Sequence, residues 1–94
     1  MPTSNEDATD VLRRRLRYRS HHRGTKELDV LLGRFADCHL DALTRDQLVT
    51  YEALLAVEDP VMLGWLMGTA EPPRDARSDV LDLLLRFVGG RGPA

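Results

Sequence analysis

The sequence is poor in the residues that define several common kinds of protein. Its single cysteine, Cys38, excludes an internal disulfide, so the chain does not read as a disulfide-stapled secreted scaffold and suits a reducing compartment. No apolar run approaches the roughly 20 residues that cross a bilayer, and direct membrane insertion is not expected. Gly24, Gly33, Gly64 and Gly68 are isolated from one another, so no glycine-rich loop is available to cradle phosphates. No useful stretch alternates apolar and polar residues, and no Asn-Gly or Asp-Gly pair marks a hairpin. Lysine occurs once, as Lys26, against twelve arginines, a bias expected of a GC-rich bacterial genome. The first ten residues carry Glu6, Asp7 and Asp10 and no basic residue, the opposite of a secretory or organellar leader, so the expected location is the bacterial cytoplasm.

What is present is a short chain of 94 residues, 43% hydrophobic and 30% charged, enough for one compact core and too little for a large enclosed cavity. Glycine, proline and capping residues divide it into five helical segments. The first is expected from about Thr9 to His22, with Thr9 or Asp10 as N-cap and Gly24 supplying a left-handed stop. The second runs from about Lys26 to His39, where Leu28, Leu31, Leu32 and Phe35 share one face. The third opens on Thr44, whose spacing to Gln47 fits a capping box. The fourth, from Pro60 to Met67, would have Asp59 as N-cap and Pro60 at the first helical position. The fifth is expected from about Arg74 to Val88, stopped by Gly89-Gly90. The fold class is therefore all-α, a small compact bundle of about five helices. Residues 1–8 read as a disordered N-terminal tail, 9–88 as a single helical domain and 89–94 as a flexible C-terminal tail.

No catalytic or metal-binding constellation emerges. His21, His22, Cys38 and His39 form two adjacent pairs, and neighbours on a helix diverge by about 100°, so neither pair chelates well. Cys38 beside His39 lacks the spatial pairing a thiolate nucleophile needs, and a half-buried thiol is expected. The charge pattern says more. Val11–Glu27 holds seven cations, Arg13, Arg14, Arg15, Arg17, Arg19, Arg23 and Lys26, against the one acid Glu27, within a chain of net charge −2. Such a segment suits docking to an acidic protein partner. The alternative is a nucleic-acid-associated regulator acting through this basic helix, against which stand the acidic total and the scarce aromatics. The turn Arg23-Gly24-Thr25-Lys26-Glu27 is both a helix break and a candidate contact. Its glycine offers bare backbone, and Arg23 and Glu27 flank it with opposite charges.

At these residues the sequence resembles the SdhE-type succinate dehydrogenase assembly factors. The family motif Arg-Gly-x-x-Glu is matched by Arg23, Gly24 and Glu27, extended by Leu28 and Asp29. Arg15-Leu16-Arg17-Tyr18-Arg19-Ser20 resembles the approach to that motif. Leu43-Thr44-Arg45-Asp46-Gln47 resembles the capped third helix, and Glu58-Asp59-Pro60 through Trp65-Leu66-Met67 the Asp-Pro…Trp-Leu segment. His22 stands where a second arginine is frequent, and Tyr18 where tryptophan is common. The resemblance implies a five-helix chaperone rather than an enzyme. Its partner would be the flavoprotein subunit of succinate dehydrogenase or fumarate reductase, not a nucleic acid. It would promote covalent FAD attachment without stably binding a cofactor itself, FAD being held by the client. Arg23, Gly24, Glu27, Tyr18, Arg19 and His22 are the implied partner-binding residues.

Overall fold

The computed structural model describes residues 5–89. Five α-helices follow one another along the chain: α1 (Asn5–His21), α2 (Lys26–His39), α3 (Arg45–Leu55), α4 (Asp59–Met67) and α5 (Asp79–Gly89). Two single 3-10 turns, Leu40–Ala42 and Arg74–Ala76, lie in the connections after α2 and α4. No strand occurs among the described residues. The all-α, five-helix expectation therefore holds.

The second and third helices start where their capping chemistry dictates. The Thr25 hydroxyl accepts from the Leu28 N–H at 3.2 Å and opens α2. At Thr44 the capping box is complete: its hydroxyl accepts from Gln47 N–H at 3.2 Å, and the Gln47 side chain accepts from Thr44 N–H at 2.9 Å. Gly68 ends α4 with φ 80°, the left-handed conformation that spares glycine a Cβ clash.

Other boundaries depart from the sequence expectation. Helix α1 begins at Asn5, four residues before Thr9, so Thr9 and Asp10 lie inside it and cap nothing. Nothing from Asn5 to Ala8 breaks a helix, and alanine favours one most strongly. Asp10 instead pairs with Arg13 at 3.1 Å, and the Thr9 hydroxyl accepts from Arg45 at 3.2 Å. Residues 1–4 and 90–94, parts of the two expected tails, lie outside the described residues. Helix α5 starts at Asp79 rather than near Arg74. The Ser78 hydroxyl accepts from Leu81 N–H at 3.0 Å and so caps the helix there, while the Pro72-Pro73 side supports only a short turn. Gly89 is the last residue of α5, not the first of a tail.

The core is continuous. Leu12 and Leu16 of α1 meet Leu28, Leu32 and Phe35 of α2, Leu48, Tyr51 and Leu55 of α3, Met62 and Trp65 of α4, and Val80, Leu81 and Leu84 of α5. Each such side chain contributes roughly 1.5–3 kcal/mol on full burial. Helix α1 packs on α2 and α3, and α5 packs on α2, α3 and α4. One polar pair is built into this core. The Ser20 hydroxyl lies 2.6 Å from the Tyr51 hydroxyl and 2.8 Å from the Leu16 carbonyl, joining α1 to α3. Burial pushes the Tyr51 phenol up to about 12, against the opposing influence of the Ser20 hydrogen bond and the Arg23 charge.

Gly33 lies buried within α2 because the His21 ring rests over it. A Cβ there would sit 2.6 Å from His21 Nδ1. The other ring nitrogen, Nε2, is 3.0 Å from Asp37. Cys38 is exposed rather than half-buried, since the buried face of α2 is taken by Leu32, Phe35 and Ala36. His39 is half-buried, and its ring packs 5.0 Å from that of Phe35 and 5.5 Å from that of Phe87. His21 and His39 thus turn to separate partners, and Cys38 faces solvent.

Candidate docking surface

The α1–α2 turn is held by a residue from a distant part of the chain. The Arg23 side chain is 10% exposed, and it points inward. Its guanidinium donates to the carbonyls of Leu55 at 2.9 Å and Val57 at 3.4 Å, and to Asp59 Oδ1 at 2.7 Å. Those carbonyls lie at the C-terminal end of α3, where backbone acceptors lack helical partners and the helix dipole is negative. Asp59 Oδ2 accepts in turn from the Gly24 N–H at 2.8 Å. Asp29, on the first turn of α2, accepts from the Arg23 backbone N–H. Partial burial of Asp59 acts to raise its pKa. The Arg23 hydrogen bond, the Gly24 N–H and the Arg23 charge outweigh it and hold the carboxyl below its ordinary 3.8.

This geometry corrects two readings of the turn. Gly24 does not adopt a left-handed conformation; Gly68 is the only described glycine with positive φ. Space is what glycine provides at 24: a Cβ would lie 2.6 Å from Asp59 Oδ2 and would have to displace that carboxylate. Nor does Arg23 present its charge to solvent beside that glycine, since its guanidinium is used internally. Asp59 was expected to cap its own helix. The α4 N-cap is Glu58, which makes no side-chain cap bond, and Asp59 and Pro60 shift one place into the helix.

Glu27 differs from Arg23. It is exposed on the first turn of α2 and borders an open hollow lined by Lys26, Val30 and Leu31. Val30 leaves 42% of its surface in solvent there. The Arg-Gly-x-x-Glu sequence is thus split between an internal brace and an outward carboxylate.

The basic stretch divides in a similar way. Arg13 donates to the carbonyls of Leu40 at 3.0 Å and Leu43 at 3.1 Å. Arg17 pairs with Asp41 at 3.2 Å and approaches Asp37 at 3.7 Å, and Arg19 lies 3.8 Å from Glu52. These residues knit α1 to its neighbours, which removes much of the observation that favoured nucleic acid. The outward face of α1 carries Val11, Arg14, Arg15 and Tyr18, with His22 just past its end, all exposed. Tyr18, 63% exposed, stacks on His22 with ring centroids 4.0 Å apart, and His22 Nδ1 lies 2.8 Å from the Tyr18 carbonyl. The stack fixes an aromatic side chain in solvent, a arrangement suited to protein recognition because little side-chain freedom remains to be lost on binding. Among the described residues no helix is long and apolar enough to cross a membrane, and no three His, Cys, Asp or Glu side chains gather as a metal ion would require.

Of the six residues implicated by the sequence, Tyr18, His22, Gly24 and Glu27 are exposed, Arg19 is half-buried, and Arg23 points inward. The sequence marks Asp59 as a helix cap and as part of the Asp-Pro…Trp-Leu segment, not as part of the turn. No local signal could reveal it as part of the turn, because its partners lie 35 and 36 positions away.

Comparison with known proteins gives a consistent result. The family described as "Flavinator of succinate dehydrogenase" matches residues 14–88. The chain is similar to the FAD assembly factor SdhE of Acetobacter pasteurianus, 37% identical over 81% of this chain and 70% of that protein. It is 39% identical to the SdhE of Colwellia psychrerythraea over 92% of this chain and 97% of that protein. Similarity extends to the mitochondrial succinate dehydrogenase assembly factor 2 of Dictyostelium discoideum, at 41% identity over 85% of this chain; there the chain spans 58% of the relative's length. These relatives are named as assembly factors, not as enzymes. With the turn, the capped third helix and the Asp-Pro…Trp-Leu segment all inside the matched span, the chain belongs to the succinate dehydrogenase flavinator family.

Proposed function

We propose that this chain binds the flavoprotein subunit of succinate dehydrogenase, with that of fumarate reductase as a second client, and promotes covalent attachment of FAD. The observation that carries the reading is the division of labour at the turn. Arg23, Gly24 and Asp59 brace it from inside, while Glu27 and the stacked Tyr18–His22 pair stand outside. Family membership supports this choice of client, and the braced surface is the proposed means of gripping it. Arg19 contributes at the edge of the contact, and Arg23 and Gly24 contribute through the shape they impose.

In this reading the client holds the FAD and supplies the bond-forming chemistry, and the helper binds no cofactor stably. Its part is to favour the client conformation in which flavin and attachment histidine are aligned. Positioning alone contributes strongly to rate, since it removes translational and rotational freedom before reaction. The proposed place of action is the bacterial cytoplasm, where the flavoprotein would be met before it joins its complex. Deleting the gene tests the reading, with protein-bound flavin fluorescence read on a denaturing gel. A flavoprotein band that fades on deletion and returns on complementation is expected. A band of unchanged intensity per unit of flavoprotein would overturn it.

A further inference from the structure

Asp59 departs from the local rule of its own helix. An aspartate at a helix start ordinarily accepts from a backbone N–H of the first turn, a contact worth about 1 kcal/mol. Helix α4 forgoes any side-chain cap bond, and the Asp59 carboxylate turns to Arg23 and Gly24 instead. Both of its oxygens are used there. One meets the guanidinium at 2.7 Å, the other the Gly24 N–H at 2.8 Å. The same carboxylate fills the space that a Cβ at residue 24 would need.

We infer that Asp59 is a remote third member of the Arg-Gly pair, a positioning residue that sets how the turn presents Glu27 and Tyr18–His22 to the partner. The chain of contacts is short. Asp59 fixes the Gly24 amide; the next residue, Thr25, caps α2; Glu27 follows on the first turn of that helix. On the other side, the Arg23 brace ties the end of α1 to the end of α3. The close approach at 24 is therefore accounted for from inside, by the carboxylate, without invoking a partner's backbone. This inference rests on the docking role proposed above for the turn.

The test is a double-mutant cycle on the full chain: Gly24→Ala, Asp59→Ala and the two combined, with Asp59→Asn as a milder variant. Affinity for the purified flavoprotein subunit is measured by calorimetry at a temperature where circular dichroism shows every variant folded. Each single change is expected to weaken binding about tenfold, the equivalent of about 1.4 kcal/mol. The double variant should be no weaker than the worse single one, because without the carboxylate a Cβ at 24 meets nothing. Losses that multiply to about a hundredfold would mean that Gly24 meets the partner directly, and would overturn the inference. So would wild-type affinity in both Asp59 variants. Amide hydrogen exchange at Gly24 in the free protein provides a second readout independent of any client. Protection that disappears in Asp59→Ala, which lacks any side-chain acceptor, supports the inference, and protection that persists overturns it. Absence of flavoprotein binding by the wild-type chain would instead sink the docking role, leaving the exchange result to decide what Asp59 does.

Discussion

Asp59 Oδ2 accepts a 2.8 Å hydrogen bond from the Gly24 N–H and lies where a side chain at residue 24 would begin. The α1–α2 turn and the start of α4, 35 positions apart, are joined by this contact, and the Arg23 guanidinium closes it from the other side. The brace has consequences for stability, for pH response and for the surface it supports.

Arg23→Ala removes the only cation paired with Asp59 among the described residues and frees two carbonyls near the end of α3. Loss of hydrogen bonds to a charged group costs about 1.5–3 kcal/mol. Because the pair keeps some solvent contact, the effect should stay below the 3–5 kcal/mol typical of fully buried pairs. Thermal unfolding followed by circular dichroism should show a clear drop in midpoint. A variant as stable as the wild type would contradict the internal placement of Arg23.

Stability should fall at both ends of the pH scale for two separate reasons. The folded Asp59 pKa is depressed below 3.8. Its contribution is full above that unfolded value and is lost as pH falls through the lower folded one. Tyr51 is the reverse: its pKa rises from 10.0 to about 12. Its contribution is full below 10.0 and is lost as pH climbs towards 12. Urea unfolding across pH should therefore show a shallower acid limb in Asp59→Asn and a shallower alkaline limb in Tyr51→Phe. Limbs parallel to the wild type would contradict these assignments.

Much of the fold was legible in the sequence because it rests on local chemistry. Thr44 caps the helix that follows it as the capping-box spacing predicts, α4 ends at Met67, and the stripe from Leu28 to Phe35 predicts the buried face of α2. Errors arose where distant residues override local preference. Asp59 and Pro60 have the sequence of an N-cap and first helical position, yet the pull of Arg23 and Gly24 draws the aspartate away. The Arg23-Gly24-Glu27 spacing marked the right turn but could not say which side chains face inward. That depends on where α3 ends, and no spacing within residues 23–27 encodes it. The arginines of α1 looked alike in sequence for the same reason; Asp37, Asp41 and the carbonyls of Leu40 and Leu43 separate them.

The exposed side of the surface should behave in the opposite way to the brace. Glu27→Ala and Tyr18→Ala change side chains that the core does not use, so each should alter stability by less than about 1 kcal/mol. Each should nevertheless weaken flavoprotein binding by about fivefold or more, the mark of a contact residue near the centre of an interface. Calorimetric titration beside a thermal melt separates the two effects. Binding that is unaffected by both changes would place the contact elsewhere on the molecule.

Reconstitution tests the proposed promotion of covalent flavinylation most directly. Purified apo-flavoprotein subunit is incubated with FAD, with and without the chain, and covalent flavin is followed by fluorescence on a denaturing gel. A faster rise of the flavoprotein band is expected with the wild-type chain, an intermediate rise with Glu27→Ala, and little gain with Asp59→Ala. Identical time courses with and without the wild-type chain would contradict it.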